Sequence, residues 1–347
     1  MASTNLDSAD LKAVASGGLI NEDVMQRIFD ISAIPLPFSD MIGTSEVKNS
    51  YTEWTVDRLQ DQNLDNAKVD GADIDDDDTN TGARVGNHCQ ISTKRVPVSS
   101  RADASDTIGR ARELGYQIMM RQRELRRDIE GIMLTGQASV ADDGNSTPGR
   151  LGGLQAWLST NAVNGTTPGF ADGTVGAFVP GAATQLSEEQ LRDLIEQIWV
   201  GGGDVSVIMS VPGVIKQLNQ YMFTQSARIA TLQADTSADS ATTGLKAQGN
   251  VNVFISDHGN TLEIRSNRLQ PAYTDSGTTT VAALYLLDPA YLSQGVLRGE
   301  RTESLAKTGL SEVRMMSKDY TLKVLNEEAH GVINDIDPTL PVIAAPI

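Results

Sequence analysis

The sequence predicts an α+β protein with two packed bodies and two extended appendages. Three features predict it. Strand-like segments at 51–59 and 88–100 flank a long acidic tip. One helix-period stretch, Ile108 to Leu134, is much longer than any other. A contiguous block of helices and strands at 187–288 interrupts the strands on either side of it, as an inserted domain does. A chain of 347 residues suits about two domains. Its 39% hydrophobic and 21% charged residues are the composition of a globular protein.

The elements follow in order. Residues 1–20 are polar and small and read as an extended arm. Asn21 can cap a short helix through Phe29, with Glu22 and Asp23 in its first turn. Pro35 and Pro37 then impose extended backbone. In Tyr51–Leu59, Trp54 and Val56 share one face, with Glu53, Thr55 and Asp57 on the other. Residues 60–83 are polar and acidic, and His88–Ser100 is rich in β-branched residues, so the two strands predict an antiparallel hairpin. In the long helix, Ile108, Ala111, Leu114, Ile118, Leu125, Ile129, Ile132 and Met133 recur near the helical period. Thr107 or Asp106 is the expected start cap and Gly136 the stop. The opposite face carries Arg121, Arg123, Arg126 and Arg127 among acidic residues. It reads either as a solvated face with local ion pairs or as a charge patch between subunits.

Residues 137–186 are rich in Gly, Ser, Thr and Asn, and Leu154–Leu158 with Trp157 is the expected anchor to the core. Ser187 caps a helix through Trp199, and Gly201, Gly202 and Gly203 stop it. Val205–Ser210 reads as a buried strand, and Pro212 opens a helix to about Phe223. Val251–Ser256, Leu262–Ser266 and Val281–Leu287 are further strands. Ser293–Glu303, Tyr320–Leu325 and His330–Ile333 return the chain.

Composition and motifs exclude several function classes. A net charge of −17 makes a poor bulk binder of nucleic acid. Cys89 is the only cysteine, so neither an intrachain disulfide nor a thiolate zinc site can form. His88, His258 and His330 stand far apart and in no metal-binding pattern, and each reads as an ordinary histidine. No phosphate-cradling G-x-x-x-x-G-K run and no G-x-S-x-G elbow occurs. The longest apolar run, Val281–Leu287, is too short to span a membrane. Residues 1–19 lack a basic start and carry Asp7 and Asp10, unlike a secretory leader. Asp73, Asp75, Asp76, Asp77 and Asp78 imitate the start of a calcium loop. Its sixth position is Asp78 and its twelfth Arg84, so the turn glycine and the bidentate glutamate are missing. The sequons at Asn145 and Asn164 report polar, exposed loops. No catalytic, cofactor or metal site is expected. The hairpin holds few apolar residues, so a neighbour must supply its packing surface. Trp54, Arg121, Arg123, Arg126 and Arg127 are the candidates for that interface.

A series of short segments runs in order along nearly the whole chain. It begins with Pro35-Leu-Pro-Phe38, Met41-Ile-Gly43, Glu53-Trp54 and Asp57-Arg-Leu59. It continues with Gly86-Asn87, Gln90-Ile91, Val96-Pro-Val98, Arg127-Asp-Ile-Glu130, Gly152-Gly-Leu154 and Trp157. It ends with Leu305-Ala-Lys-Thr-Gly309, Tyr320-Thr-Leu-Lys-Val-Leu-Asn-Glu327 and Ala329-His330-Gly331. Together they resemble the major capsid proteins of tailed double-stranded DNA phages. An Asp-rich tip and a long 160–186 segment depart from that pattern.

The resemblance implies the Hong Kong 97-like (Johnson) capsid fold. Its parts would be an N-terminal arm (1–49), an extended hairpin loop (50–100), a peripheral domain with a spine helix (101–186), an axial domain (187–288) and return strands of the peripheral domain (289–347). It implies pentamers and hexamers of this chain in an icosahedral phage head. That head would enclose double-stranded DNA without sequence-specific binding and use no membrane. A portal and possibly a decoration protein would join it in a virion assembled in the host cytoplasm. The short arm leaves no room for a fused scaffolding domain of ordinary size, which points to a separate scaffolding protein. An encapsulin-like nanocompartment shell of the same fold is the alternative. An enzyme is disfavoured.

Overall fold

The computed structural model describes residues 35–59, 62–65, 67–71, 82–105, 107, 110, 112–225, 253–307 and 309–343. The expected arm helix at 21–29 and the acidic run Asp73–Asp78 lie outside the described residues. In chain order the first elements are β1 (Gly43–Glu46), β2 (Tyr51–Val56), β3 (Ala83–His88), β4 (Gln90–Ser99), α1 (Ser100–Ala104), α2 (Glu113–Met133) and α3 (Leu154–Trp157). Then come β5 (Ala162–Val163), β6 (Phe170–Ala171), β7 (Thr174–Val175), α4 (Glu188–Val200), β8 (Val207–Ser210) and α5 (Pro212–Gln225). The chain closes with β9 (Val253–Ile255), β10 (Thr261–Ser266), β11 (Tyr273–Thr274), β12 (Thr280–Leu287), β13 (Leu292–Ser304), β14 (Ser311–Val324) and β15 (Gly331–Ile336).

Two sheets carry the fold. The larger has seven strands in the order β5-β15-β12-β8-β10-β9, with β11 paired to β12. In β12 the side chains alternate between two cores, as a strand buried on both faces requires. Ala283, Tyr285 and Leu287, with Val207, Met209 and Val332, face the core built on α2 and α3. Ala282, Leu284 and Leu286, with Ile208, Ile333 and Ile336, face Leu191, Leu194, Ile195 and Ile198 of α4 and Val214 and Leu218 of α5. Each Val, Leu, Ile or Met among them contributes about 1.5–3 kcal/mol of burial. The Tyr285 hydroxyl donates to the Leu134 carbonyl at 3.0 Å, tying the end of α2 to the middle of the sheet. The smaller sheet has the order β1-β13-β14-β4. Its long β13–β14 ribbon buries Leu292, Met316, Tyr320, Leu322 and Val324 against Leu125, Ile129 and Met133 of α2.

Several elements differ from the sequence expectation. The hairpin ladder is β2 with β3, running from Tyr51↔His88 to Val56↔Ala83. The expected partner strand, 88–100, is split at Cys89, whose N–H donates to the Ser50 carbonyl at 2.6 Å. Beyond it β4 forms a ten-residue ladder with β14, from Gln90↔Tyr320 to Ser99↔Ser311. That partner lies more than 200 residues away, so no local pattern announces it. The long helix starts at Glu113 rather than Ile108, and its 21 residues span roughly 30 Å. Its cap comes from another element: Asp103 of α1 accepts the Leu114 N–H at 2.9 Å. The C-cap is Leu134, and Gly136 serves packing instead, since a Cβ there would come within 2.6 Å of Phe178. Strand β15 joins the seven-stranded sheet beside β12 and β5 rather than the ribbon, because all six of its residues are buried. Residues 37–42 form a turn rather than extended chain, with Ile42 N–H donating to the Phe38 carbonyl. Asn164 is half-buried at φ 64°, with its amide on Thr184 and Asn334, not in an exposed loop.

Other expectations match the structure. All four residues of α3 are buried, so Trp157 docks on the core. Helix α4 follows Ser187 and ends before Gly201, although the Ser187 side chain does not make the capping hydrogen bond expected of it. There Gly202 takes φ +91°, a conformation glycine adopts without a Cβ penalty.

Candidate functional site

Two kinds of site emerge from the residues upward: internal knots that set where the appendages leave the body, and surfaces that the body leaves uncovered. The first knot is Glu130, near the end of α2 and fully buried. Its carboxylate accepts the Phe38 N–H at 2.8 Å, the Ser39 N–H at 2.7 Å, the Ser39 hydroxyl at 2.5 Å and the Asn267 amide at 2.8 Å. Charge-assisted bonds of this kind are the strong ones. They fix the base of the arm to the spine helix and to the loop after β10. The second knot is Asn87 in β3, also fully buried. Its amide donates to Gly152 and Leu322 carbonyls at 3.1 and 2.8 Å, and its oxygen accepts the Gly152 N–H at 2.7 Å. Both knots join segments that the sequence reading quoted separately, Phe38 with Glu130 and Asn87 with Gly152 and Leu322.

The hairpin is anchored at its base by its own chain. Trp54 lies 5.6 Å from Trp157, which stacks on Phe170 at 5.9 Å. The Tyr51 hydroxyl donates to the Gly173 carbonyl at 2.7 Å, and Arg58 pairs with Glu328 at 3.6 Å. Trp54 therefore sits half-buried against its own core.

Beyond that base the surroundings change. Leu59, Leu64 and Val69 are 92%, 89% and 80% exposed. Leu310, at the turn of the β13–β14 ribbon, is 89% exposed. Sequence reasoning placed Leu59 at a strand end and passed over Leu64, Val69 and Leu310. The available signal was three isolated apolar residues, five apart, in a stretch otherwise polar and charged.

The four spine arginines differ in their partners. Arg121 pairs with Glu124 at 2.5 Å along the helix, and Arg126 reaches Glu300 of β13 at 3.3 Å. Arg123 is exposed and interacts within the chain. Arg127 lines a cleft with Lys94, Glu124, Asp128 and Leu269, and its buried Nε has no partner among the described residues.

The reactive residue types are occupied structurally. His330 is buried, and its Nδ1 accepts the Asp288 N–H at 3.1 Å; burial pushes its pKa down to about 3. His88 Nδ1 lies 2.9 Å from the Ser139 hydroxyl, and partial burial lowers its pKa. His258 stacks on Trp199. Burial pushes the Cys89 thiol up to about 11, so it is a poor nucleophile near neutrality. Among the described residues no three His, Cys, Asp or Glu side chains gather as a metal site would need. No helix among them is long and apolar enough to cross a membrane.

Comparison with known proteins follows this geometry. The family model described as SU10 major capsid protein matches residues 3–337. The major capsid protein of Escherichia phage Phieco32 is 27% identical over 332 residues, 86% of this chain and 89% of that protein. Among solved structures, the capsid of a native GTA particle is similar with a TM-score of 0.58 at 12% identity, over 96% of this chain and 99% of that one. The capsid of the cyanophage P-SCSP1u is similar with a TM-score of 0.55 at 12% identity, over 99% and 100%.

Proposed function

The chain belongs to the SU10 major capsid protein family, and from that premise we propose that its copies close into an icosahedral head by laying each hairpin across a neighbour. The chain is a phage major capsid protein with the Hong Kong 97-like fold, and of the two shell readings the phage head is the better supported. The observation that carries the hairpin's role is the exposure of Leu59, Leu64 and Val69. Removing three such side chains from water offers about 1.5–3 kcal/mol each, and none of the described residues of the chain supplies that cover. Repeated heterologous contacts of this kind form closed shells when the rotation between copies closes.

On this reading residues 1–49 act as the arm, the β2–β3 hairpin (50–88) as the extended loop, β4 with 101–186 and the β13–β14 ribbon as the peripheral domain, and 187–288 joined by β15 as the axial domain. Trp54 orients the loop through its tilted ring contact with Trp157, and the spine arginines are contact residues. The chain works as a structural protein rather than an enzyme. A buried neutral His330 and a thiol with a raised pKa are consistent with that role. The head assembles in the host cytoplasm with a separate scaffolding protein and a portal, and it can carry a decoration protein. It contains double-stranded DNA without gripping it, since a net charge of −17 opposes bulk phosphate binding. Electron microscopy of purified particles, with nuclease protection of their contents, tests the proposal. Closed shells protecting DNA are expected. Shells holding protein cargo instead of DNA, or a chain that stays monomeric, would contradict it.

A further inference from the structure

The cleft beside Arg127 has an electrostatic imbalance that the described residues do not resolve. Its two carboxylates are already neutralised: Asp128 by Lys94 at 2.5 Å and Glu124 by Arg121 at 2.5 Å. Arg127 remains, with its Nε shielded from water and unpartnered among the described residues. A guanidinium left so is costly and calls for a planar acceptor, for which a carboxylate is the matching shape. The cleft, of about 310 Å³, has room for one or two carboxylate side chains. The N-terminal two-thirds of the helix is basic as a whole, with five arginines and two glutamates from Arg112 to Arg127.

The same chain carries the opposite charge elsewhere. From Asp57 to Asp78 there are nine acidic and two basic residues. This acidic segment belongs to the appendage whose exposed Leu59, Leu64 and Val69 already require cover. The roughly 26 residues between Val56 and Ala83 allow the hairpin to reach about 40 Å at most from its base. That reach exceeds the length of the spine helix itself, roughly 30 Å.

We propose that the Arg127 cleft receives the acidic hairpin segment Asp70–Asp78 of a second copy, so that carboxylates of one subunit complete the guanidinium of the next. This rests on the shell reading above and names the partner at one of its contacts. Duplex DNA is the less suitable occupant. Its affinity grows with the number of cations it engages, and here Lys94, Arg121 and Arg126 are already committed to carboxylates of the chain.

Charge reversal in the full-length chain tests it, read as the protein concentration at half-maximal assembly by light scattering. Arg127→Glu, and separately Asp75, Asp76, Asp77 and Asp78 each →Arg, should raise that concentration at least about tenfold. Combining Arg127→Glu with the four aspartate reversals should bring it back toward the wild-type value. Arg127→Asp combined with the aspartate reversals gives a second rescue variant with a smaller side chain, should Arg127→Glu fold poorly by circular dichroism. Normal assembly of both single-sided reversals would overturn the proposal, as would folded single-sided variants that neither combination rescues. Shells that assemble normally from Arg127→Glu but lose nuclease-protected DNA would assign the cleft to the genome and overturn it as well. If Arg127→Glu lowers the urea midpoint of the unassembled subunit and the aspartate reversals restore it, the contact lies within one chain, which also overturns it. Wild-type protein run alongside separates the two readings: if it forms no shells, the capsid reading fails, whatever the variants do.

Discussion

The seven-stranded sheet and the hairpin place similar residues in opposite surroundings. In the sheet, Leu284 lies fully buried between Ile333 of β15 and the helices α4 and α5, and every apolar residue of β12 finds its cover within the chain. In the hairpin, Leu64 is 89% exposed, with Leu59 and Val69 similarly open on either side. Polar groups show a similar contrast within the spine helix. Glu130 buries a carboxylate on four donors of its own chain, whereas Arg127 leaves part of its guanidinium unmatched. The difference shows where the subunit ends as a folding unit and where it becomes part of an assembly. The central strands of the sheet are covered within the chain, while the most exposed large apolar side chains among the described residues, Leu59, Leu64 and Leu310, lie in the hairpin and at the turn of the β13–β14 ribbon.

Breaking the sheet should have the largest effect. Leu284→Ala should cost about 2–5 kcal/mol of subunit stability through the cavity it leaves, measured by urea unfolding of the unassembled chain. Leu64→Ser should change that stability by no more than about 0.5 kcal/mol while weakening assembly. An equal stability loss from both would erase the distinction between the two regions.

Glu130→Leu comes next. It leaves the Phe38 and Ser39 N–H groups and the Asn267 amide without an acceptor. Buried orphan donors cost about 1–3 kcal/mol each, so a loss of roughly 3 kcal/mol is expected. Protease cleavage near residues 35–42 should rise with it, because the arm base is released. An unchanged cleavage pattern would remove Glu130 from its role as arm anchor.

His330 sharpens the comparison through pH. The folded chain refuses a proton on this imidazole until about pH 3, while the unfolded chain takes one up below the ordinary value of 6.5. The unfolded state therefore binds more protons between those values. Stability contributed by His330 is full above pH 6.5 and falls by about 1.4 kcal/mol for each unit below it. Burial raises the pKa values of Asp335 and Asp319, which acts in the opposite sense toward their own range. The comparison is therefore wild type against His330→Asn, whose stability should depend less on pH between 4 and 6 by one proton. Parallel curves would mean the imidazole titrates normally in the fold.

Trp54 should give the smallest effect. Trp54→Leu removes a half-buried ring from the Trp157 stack, a loss of about 0.5–1.5 kcal/mol for the aromatic contact. Assembly should weaken somewhat more than stability, because the hairpin loses its orientation. A loss confined to stability would make Trp54 an ordinary core residue.

Much of this division was legible in the sequence. The body of the spine helix, the buried strand at Val207–Ser210, the proline-started helix after it and the apolar run of β12 follow from local periodicity, caps and composition, and each stands close to its expected place. Choices made by distant residues were not legible. The cap of the spine helix comes from Asp103 across a non-helical link. β4 leaves the hairpin for β14, and β15 leaves the ribbon for the large sheet, and in each case the place is set by pairing with a distant strand. Among the site residues, the spine arginines were visible as a cluster, but which were already paired depended on Lys94 and Glu300 from other strands. Leu59, Leu64 and Val69 were hidden by the acidic residues around them. Glu130 looked like one more helix acid until Phe38 and Asn267 converged on it.

The central claim is that the hairpin belongs to the assembly and not to the subunit's core. Replacing residues 60–81 with a short Gly-Ser turn tests it most directly, with circular dichroism and urea unfolding reporting the fold and sedimentation reporting assembly. The account predicts a folded, soluble subunit of near wild-type stability that no longer forms shells. A truncated chain that assembles normally, or one that unfolds, would contradict it.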